Sequence, residues 1–533
     1  MRHQLRLQTD DSKAHKSSPL SGKYGVLLRK VFTIGGAVTL LLSTSVALAF
    51  TSASLHTVPV FQRFVDPDGV FTNFDSAGPT DTTKNAFFQE LGTNGRACVT
   101  CHQPSDAFSV TPPHILERFE ATRGTDPIFR PVDGANCPIA NVSTLEARRE
   151  AYSLLLTRGL IRIGIAVPAN ADYQVISVYN RYGCNATDVI SMYRRPLPTT
   201  NLPFLSAVMF DGRESSPATG TTKILYSNYP ASLMSDLAHQ SVDATIGHAQ
   251  GDGTRPTAEE QQEIVNFETK LFTAQTFDRR AGGLDNDGAK GGPVPLATQP
   301  FFITVNSSVH FLVPALEQPG GLVTVGDGQF TSNIFDIFDS WSQNRAGEYA
   351  KRAARQSIAR GEQLFNTLQI PIAGVAGIND DATAGGLVAG GIPSLQGTCG
   401  TCHDTPNVGN HSFPTPLNIG TGDPSPSNPK VNLGGLDMSY LPEITVCKKD
   451  ATGRPTSNCK TTTDLGQALI DGSFDHVGKI KGPILRGLAA RAPYFHNGSA
   501  ATLTDVVNFY DTRFDLNLSQ QQINDLVAFL KTL

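Results

Sequence analysis

The sequence predicts a mainly α-helical protein built as two domains with long, loop-rich insertions. Three observations predict it. The chain has 533 residues, long for one compact unit. Apolar residues recur at helical spacing in several stretches, some with recognisable caps. The pattern C-x-x-C-H occurs twice, at Cys98-Val99-Thr100-Cys101-His102 and at Cys399-Gly400-Thr401-Cys402-His403, which implies a duplicated module. Hydrophobic residues make up 39%, enough for an ordinary core. The 49 Gly and 34 Pro mark many turns and irregular connections.

The first 49 residues read as an export signal. Seven basic residues from Arg2 to Lys30 precede an apolar run from Val31 to Phe50 that contains Ala47-Leu48-Ala49, a small-x-small cleavage signature. The alternative is an uncleaved membrane anchor, since the run nearly reaches the roughly 20 residues that span a bilayer. Either way the protein is expected to be periplasmic or secreted. Without residues 1–49 the net charge is −10. Such an acidic body carries no electrostatic footprint for nucleic acid.

Residues 51–95 read as an extended lead-in to the first C-x-x-C-H. A helix is expected over Ser143–Leu160, closed by Gly159. Residues 161–230 are irregular, with strand-like pieces such as Tyr173–Tyr179. Further helices are expected near Ser235–Gln250 and Arg345–Asn366. The Gly/Asp-rich run Gly283–Gly288 reads as a surface turn, because it lacks the ligand spacing of a calcium loop. The last helix has a capping box, Ser519 with Gln522, and an apolar stripe of Ile523, Leu526, Val527 and Leu530. These readings set an N-terminal domain at 51–265, an insertion or linker at 266–349 and a C-terminal domain at 350–533.

Eight cysteines divide evenly. Four lie in the C-x-x-C-H motifs. In an exported chain the others are expected to form disulfides, Cys137–Cys184 and Cys447–Cys459; other pairings, or free thiols, stay open.

C-x-x-C-H is the attachment motif of haem c. Two thiols reach both vinyl groups of one porphyrin, and the adjacent imidazole binds the iron. A lone C-x-x-C can instead be half a zinc site or a redox dithiol. Here both copies carry the His, and neither has a second C-x-x-C nearby. Two covalently bound haems c are therefore expected, on Cys98 and Cys101 with His102 as iron ligand, and on Cys399 and Cys402 with His403.

Downstream stretches then resemble a known group. Arg360-Gly361-Glu362-Gln363-Leu364-Phe365 precedes the second motif. Gly482-Pro483-Ile484-Leu485-Arg486-Gly487 and Ala492-Pro493-Tyr494-Phe495-His496-Asn497-Gly498 follow it. They resemble the signature of the bacterial di-haem cytochrome c peroxidase superfamily, which includes the MauG-type enzymes. A weaker match covers Phe210-Asp211-Gly212-Arg213 and the helix with Gln240. The resemblance implies two cytochrome-c-like domains whose haems face a common interface. It also allows calcium between them.

The resemblance carries roles onto particular residues. Fourteen places after His496 stands Tyr510, the implied distal ligand of the second iron, or else a tyrosine packed at a helix end. Gln240 lines the open side of the first haem. Ten places on, where the family has a glutamate that moves protons, stands Gln250, and an amide cannot shuttle a proton. His248 is the substitute acid/base, if it is not an ordinary surface or core histidine; His239 and Asp243 are weaker alternatives. Phe210 occupies the place of an inter-haem tryptophan. The only Trp, Trp341, reads as a buried anchor or pocket residue. His114 reads as a loop residue or a resting-state cap of the first haem.

The function implied is a peroxidase-like di-haem oxidoreductase. It would use peroxide or dioxygen at the first haem, with the second as electron relay, and act on an organic or protein substrate in MauG-like or oxygenase-like fashion. A small redox protein would donate electrons. The alternative is a non-catalytic electron-transfer cytochrome.

Overall fold

Where bulky residues alternate with polar ones, short strands form. In a computed structural model describing residues 56–215, 231–301, 306, 311–314, 322–325, 330–343, 348–380, 393–412, 416–425 and 427–533, they assemble into many small antiparallel sheets. Phe61–Val65 and Gly69–Asp75 form a hairpin, Gly69–Asp75 pairs at long range with Leu271–Asp278, and Gly282–Gly283 lies at the edge. Ile161–Ala166 pairs with Val189–Arg194. Tyr173–Tyr179 pairs with Glu443–Lys449, which pairs with Pro455–Thr462. Tyr173, Val175, Ile190, Met192, Ile444 and Val446 bury a core of their own beneath these strands.

The mainly α expectation is thereby corrected: the protein is 31% helix and 20% strand, a mixed α/β chain. The strands are short, and some pair with partners hundreds of residues away, as Gly69–Asp75 does with Leu271–Asp278 and Tyr173–Tyr179 with Glu443–Lys449, which local periodicity does not register.

The helices follow local rules. α1 (Pro112–Thr122) opens on Pro112-Pro113, where a missing N–H costs nothing. The helix expected over Ser143–Leu160 is two: α2 (Leu145–Ala151), capped by Thr144, and α3 (Ser153–Arg158), closed by Gly159 in the left-handed conformation. The break falls at buried Tyr152, whose hydroxyl donates to the Phe129 carbonyl at 2.6 Å. α4 (Ala231–Gly247) and α5 (Ala258–Lys270) flank the first C-x-x-C-H, and α5 starts with a Thr257/Glu260 capping box.

α6 (Tyr349–Thr367) packs on α8 (Gln520–Leu530), and α7 (Leu503–Phe514) packs beside them. Gly361 permits the α6–α8 contact: a Cβ there would lie 1.9 Å from the Asp525 carbonyl oxygen. Arg360 pairs with Asp525 across it. Phe335, Phe338, Trp341, Phe365 and Phe529 fill the core alongside, each ring contributing roughly 2 kcal/mol of burial. Trp341 is an anchor, donating Nε1–H to the Asn286 carbonyl at 3.0 Å. Asp287, in the Gly/Asp-rich turn, pairs with Arg355.

Disulfides join Cys137 to Cys184 and Cys447 to Cys459. Ser54–Leu533 form one compact unit. Residues 1–49, read as an export signal, lie outside the described residues. Among the described residues no helix is long and apolar enough to cross a membrane.

Candidate functional site

Each C-x-x-C-H motif folds into a single helical turn whose cysteines are unpaired, and each lines a cavity. The two histidines are held alike. His102 donates Nδ1–H to the Phe108 carbonyl at 3.1 Å, and His403 donates to the Gly409 carbonyl at 2.7 Å. In both, the acceptor is six residues on. That bond leaves Nε2 with its lone pair, the form that binds a metal. Burial pushes both imidazoles down to about 4, so both are neutral at physiological pH.

The first cavity contains Gln240, Ser241, Thr245 and His248 from α4 and the segment just after it, Thr199 and Thr200, and Glu268 from α5. His248 donates Nδ1–H to Asp133 at 2.5 Å, and Asp133 also accepts from Arg96. Despite burial, His248 and Arg96 hold Asp133 below the usual carboxylate range. Glu268 is 3% exposed and its Oε2 has no hydrogen-bond partner. Burial pushes it up to about 8, so it carries a proton at neutral pH.

The second cavity is apolar. Ile370, Ile372, Leu417, Ile419, Phe495 and Tyr510 line it with His403. Tyr510 packs with Cys399 and Cys402, and burial, then the neighbouring thiols, raises its phenol. His496 also lines this cavity. Its Nε2 is 3.8 Å from Asp464, beyond hydrogen-bond reach.

One wall serves both cavities: Arg195–Pro198, Phe210, Lys481, Pro483, Ile484 and Arg491 line each of them. Phe210 meets His496 edge to face at 6.0 Å between ring centroids. The next residue, Asp211, accepts from Arg194 and Arg213. Although buried, it is held down to about 2 by Arg213 and Arg194. Arg194 also forks onto Asp464 at 2.7 and 2.8 Å, so a rigid ion-pair network backs the shared wall.

The residues fit haem. Lys481, Arg486 and Arg491 are buried cations; burial lowers them to about 8, 9 and 10. Arg486 leaves Nε and Nη1 without a partner. An unpaired buried guanidinium is costly, and the propionates of a haem are the carboxylates such cations require. The four free thiols and the two lone-pair imidazoles complete the donor set.

Of the residues predicted from sequence, Gln240, His248, Cys98, Cys101 and His102 come together at the first cavity, and Cys399, Cys402, His403 and Tyr510 at the second. Gln250 does not join them. Its side chain is exposed and its Oε1 accepts from Asn94 at 3.2 Å, because the chain turns at this residue with φ of 55°. His114 is 43% exposed at its side chain, paired to Asp106, and lines neither cavity. His239 bonds Glu214 instead of reaching the cavity. Sequence reading missed Glu268 and Asp133, which carry no motif. It also missed a role for Arg486, although Arg486 lies inside the quoted Gly482–Gly487 stretch.

Residues 481–516, which hold the buried cations, His496 and Tyr510, match a family described as RoxA-like, cytochrome c-like. Cytochrome-c peroxidase IdrP2 of Denitromonas iodatirespirans is 32% identical over 145 residues, 26% of this chain and 36% of that protein. IdrP1 of the same organism is 40% identical over 68 residues, 11% of this chain and 18% of that protein. IdrP2 of Pseudomonas sp. (strain SCT) is 36% identical over 100 residues, 17% and 27% respectively. The chain thus spans about a third or less of the length of these curated relatives. The similarity is to cytochrome-c peroxidases and to a cytochrome c-like domain, not to MauG-type enzymes in particular. It supports a haem-based oxidoreductase and implies haem c.

Proposed function

We propose that the chain is an exported di-haem c-type oxidoreductase, with its reactive centre at His102 and its electron-storing centre at His403. The observation that carries this reading is the contrast between two similarly anchored cavities, of which the first is rich in hydrogen-bonding and proton-carrying groups and the second is apolar. Haem c on Cys98 and Cys101 would supply an iron able to bind and reduce peroxide or dioxygen.

The chain's own residues do the rest. His102 presents Nε2 as a neutral donor. Gln240 offers an amide to orient a bound oxidant. His248, steadied by Asp133 at Nδ1, is left with Nε2 to give or take a proton. Glu268 holds a second proton in the same cavity. On the other side Tyr510 is the candidate partner of His403 on the second iron. A phenolate ligand donates charge to iron and so favours its higher oxidation states. Phe210 and the 481–484 segment form the wall that an electron must cross.

One feature favours slow oxidation of an organic or protein substrate, oxygenase-like or MauG-like, over rapid peroxide removal: Phe210, in the wall shared by both cavities, is far harder to oxidise than tryptophan. A small redox protein would return the electrons.

The test is spectroscopic. Mature protein expressed with haem-attachment machinery should carry two haems c by mass. Its ferric form should show one high-spin EPR signal that responds to cyanide, and the reduced form should bind carbon monoxide. Two low-spin haems that ignore both ligands would make the protein an electron relay instead.

A further inference from the structure

α4 has a second polar face. Gln240, Ala244 and His248 line the first cavity, while Asp236, His239 and Asp243 fall at i, i+3 and i+7 on another side of the helix, spacings that stack side chains. There they meet Glu214, from the turn that follows Phe210-Asp211-Gly212-Arg213. Ligand atoms of Glu214, His239 and Asp243 all lie within 4.8 Å of one another. Glu214 Oε2 and His239 Nδ1 share a hydrogen bond at 2.9 Å, close enough for both groups to turn onto one ion.

A separate observation points to a missing ligand. Asp236 is 5% exposed, and its Oδ1 has no hydrogen-bond partner. The charges of Glu214 and His239 both act on it. The nearby cation, Arg213, is 3.7 Å from the other oxygen of Glu214 and is bonded to Asp211. A buried carboxyl with an orphaned oxygen close to the Glu214 carboxylate calls for positive charge.

We propose that Glu214, His239 and Asp243, backed by Asp236, bind a divalent first-row transition-metal ion. One imidazole among carboxylates suits manganese, iron or zinc better than the all-oxygen preference of calcium or magnesium. The site is independent of the haem reading. Its ion fixes α4 to the turn after Phe210, and so sets the helix that carries Gln240 and His248.

The experiment uses haem-loaded mature protein, stripped with a chelator and held in excess calcium to occupy oxygen-only sites. Manganese is titrated and its free six-line EPR signal is followed, with zinc as competitor. The expected result is one equivalent bound, displaced by zinc, and a melting temperature raised by either ion. Asp243→Asn, at an exposed position, should weaken binding at least 10-fold, and Asp236→Asn at least 5-fold, with the haem spectrum unchanged. His239→Ala should abolish it. Absence of saturable manganese or zinc binding to the unaltered protein overturns the proposal. So does equal affinity in all three variants.

Discussion

The two cavities share an anchoring device and differ in nearly everything else. In each, a C-x-x-C-H turn is tied down by a histidine whose Nδ1–H meets a carbonyl six residues on. Yet the first is lined by Gln240, His248, Glu268 and several hydroxyls, while the second is lined by aliphatic side chains around Tyr510. The anchoring is thus written in a five-residue motif, and the character of each cavity in side chains that arrive from α4, α5 and α7. The same motif opens onto a polar cavity in one place and an apolar one in the other.

The contrast breaks most completely at the attachment cysteines. Replacing Cys98 and Cys101 by Ser should leave one haem per chain by mass and abolish turnover with peroxide. Replacing Cys399 and Cys402 should also leave one haem, but should preserve the high-spin signal and its response to cyanide. If both double variants lose that signal, the division of labour is wrong.

Within the first cavity, His248→Ala should lower turnover by about 100-fold, the size of a lost proton-transfer group, with haem content unchanged. Asp133→Asn should cause a smaller loss, since Asp133 acts only by holding Nδ1. Comparable activity in His248→Ala and the unaltered protein would pass the proton role to Glu268.

Glu268 sharpens the comparison through pH. Its carboxyl is raised from an ordinary 4.5 to about 8 in the folded chain, so between those values the folded state binds more protons than the unfolded state. Stability must therefore fall as pH rises through that window and level off above it. Glu268→Gln removes the slope. It should match the unaltered protein at pH 4 and exceed its stability at pH 9, on the order of a few kcal/mol, measured by melting temperature. Parallel curves would show the carboxyl to be ionised in the fold.

In the second cavity, Tyr510→Phe should shift that haem's ferric spectrum towards high spin while leaving the first signal in place. An unchanged spectrum would remove Tyr510 as a ligand and leave His496, whose Nε2 is unpartnered in the same cavity, as the side chain to replace next.

What could be read from the sequence was whatever is local. The C-x-x-C-H turns, the Ser519 capping box, the Gly159 stop and the strand at Tyr173–Tyr179 are written in contiguous residues. The partner of that strand, Glu443–Lys449, is not, and a chain of such long-range pairings turned an expected mainly α protein into a mixed one. The same holds in the site. His248 could be nominated from its offset along α4, whereas Asp133, which holds its Nδ1, comes from a turn 115 residues away. Glu268 sits among Asn266, Phe267, Thr269 and Lys270, a neighbourhood that reads as an ordinary helix end. Only burial distinguishes it.

Gln250 shows where alignment by offset fails. The ten-residue interval from Gln240 places an amide where the family resemblance implies a proton-moving glutamate, and on that reading Gln250→Glu should raise turnover. α4 ends at Gly247, however, and the left-handed turn at Gln250 directs its side chain outward to Asn94. A carboxylate there would face solvent, too far from the oxidant to donate a proton to it. Gln250→Glu should therefore leave turnover, its pH profile and the haem spectra unchanged. A rise in peroxide turnover would mean that the turn swings inward when haem is bound, and that the first cavity recruits its acid from the loop after α4 instead of from His248.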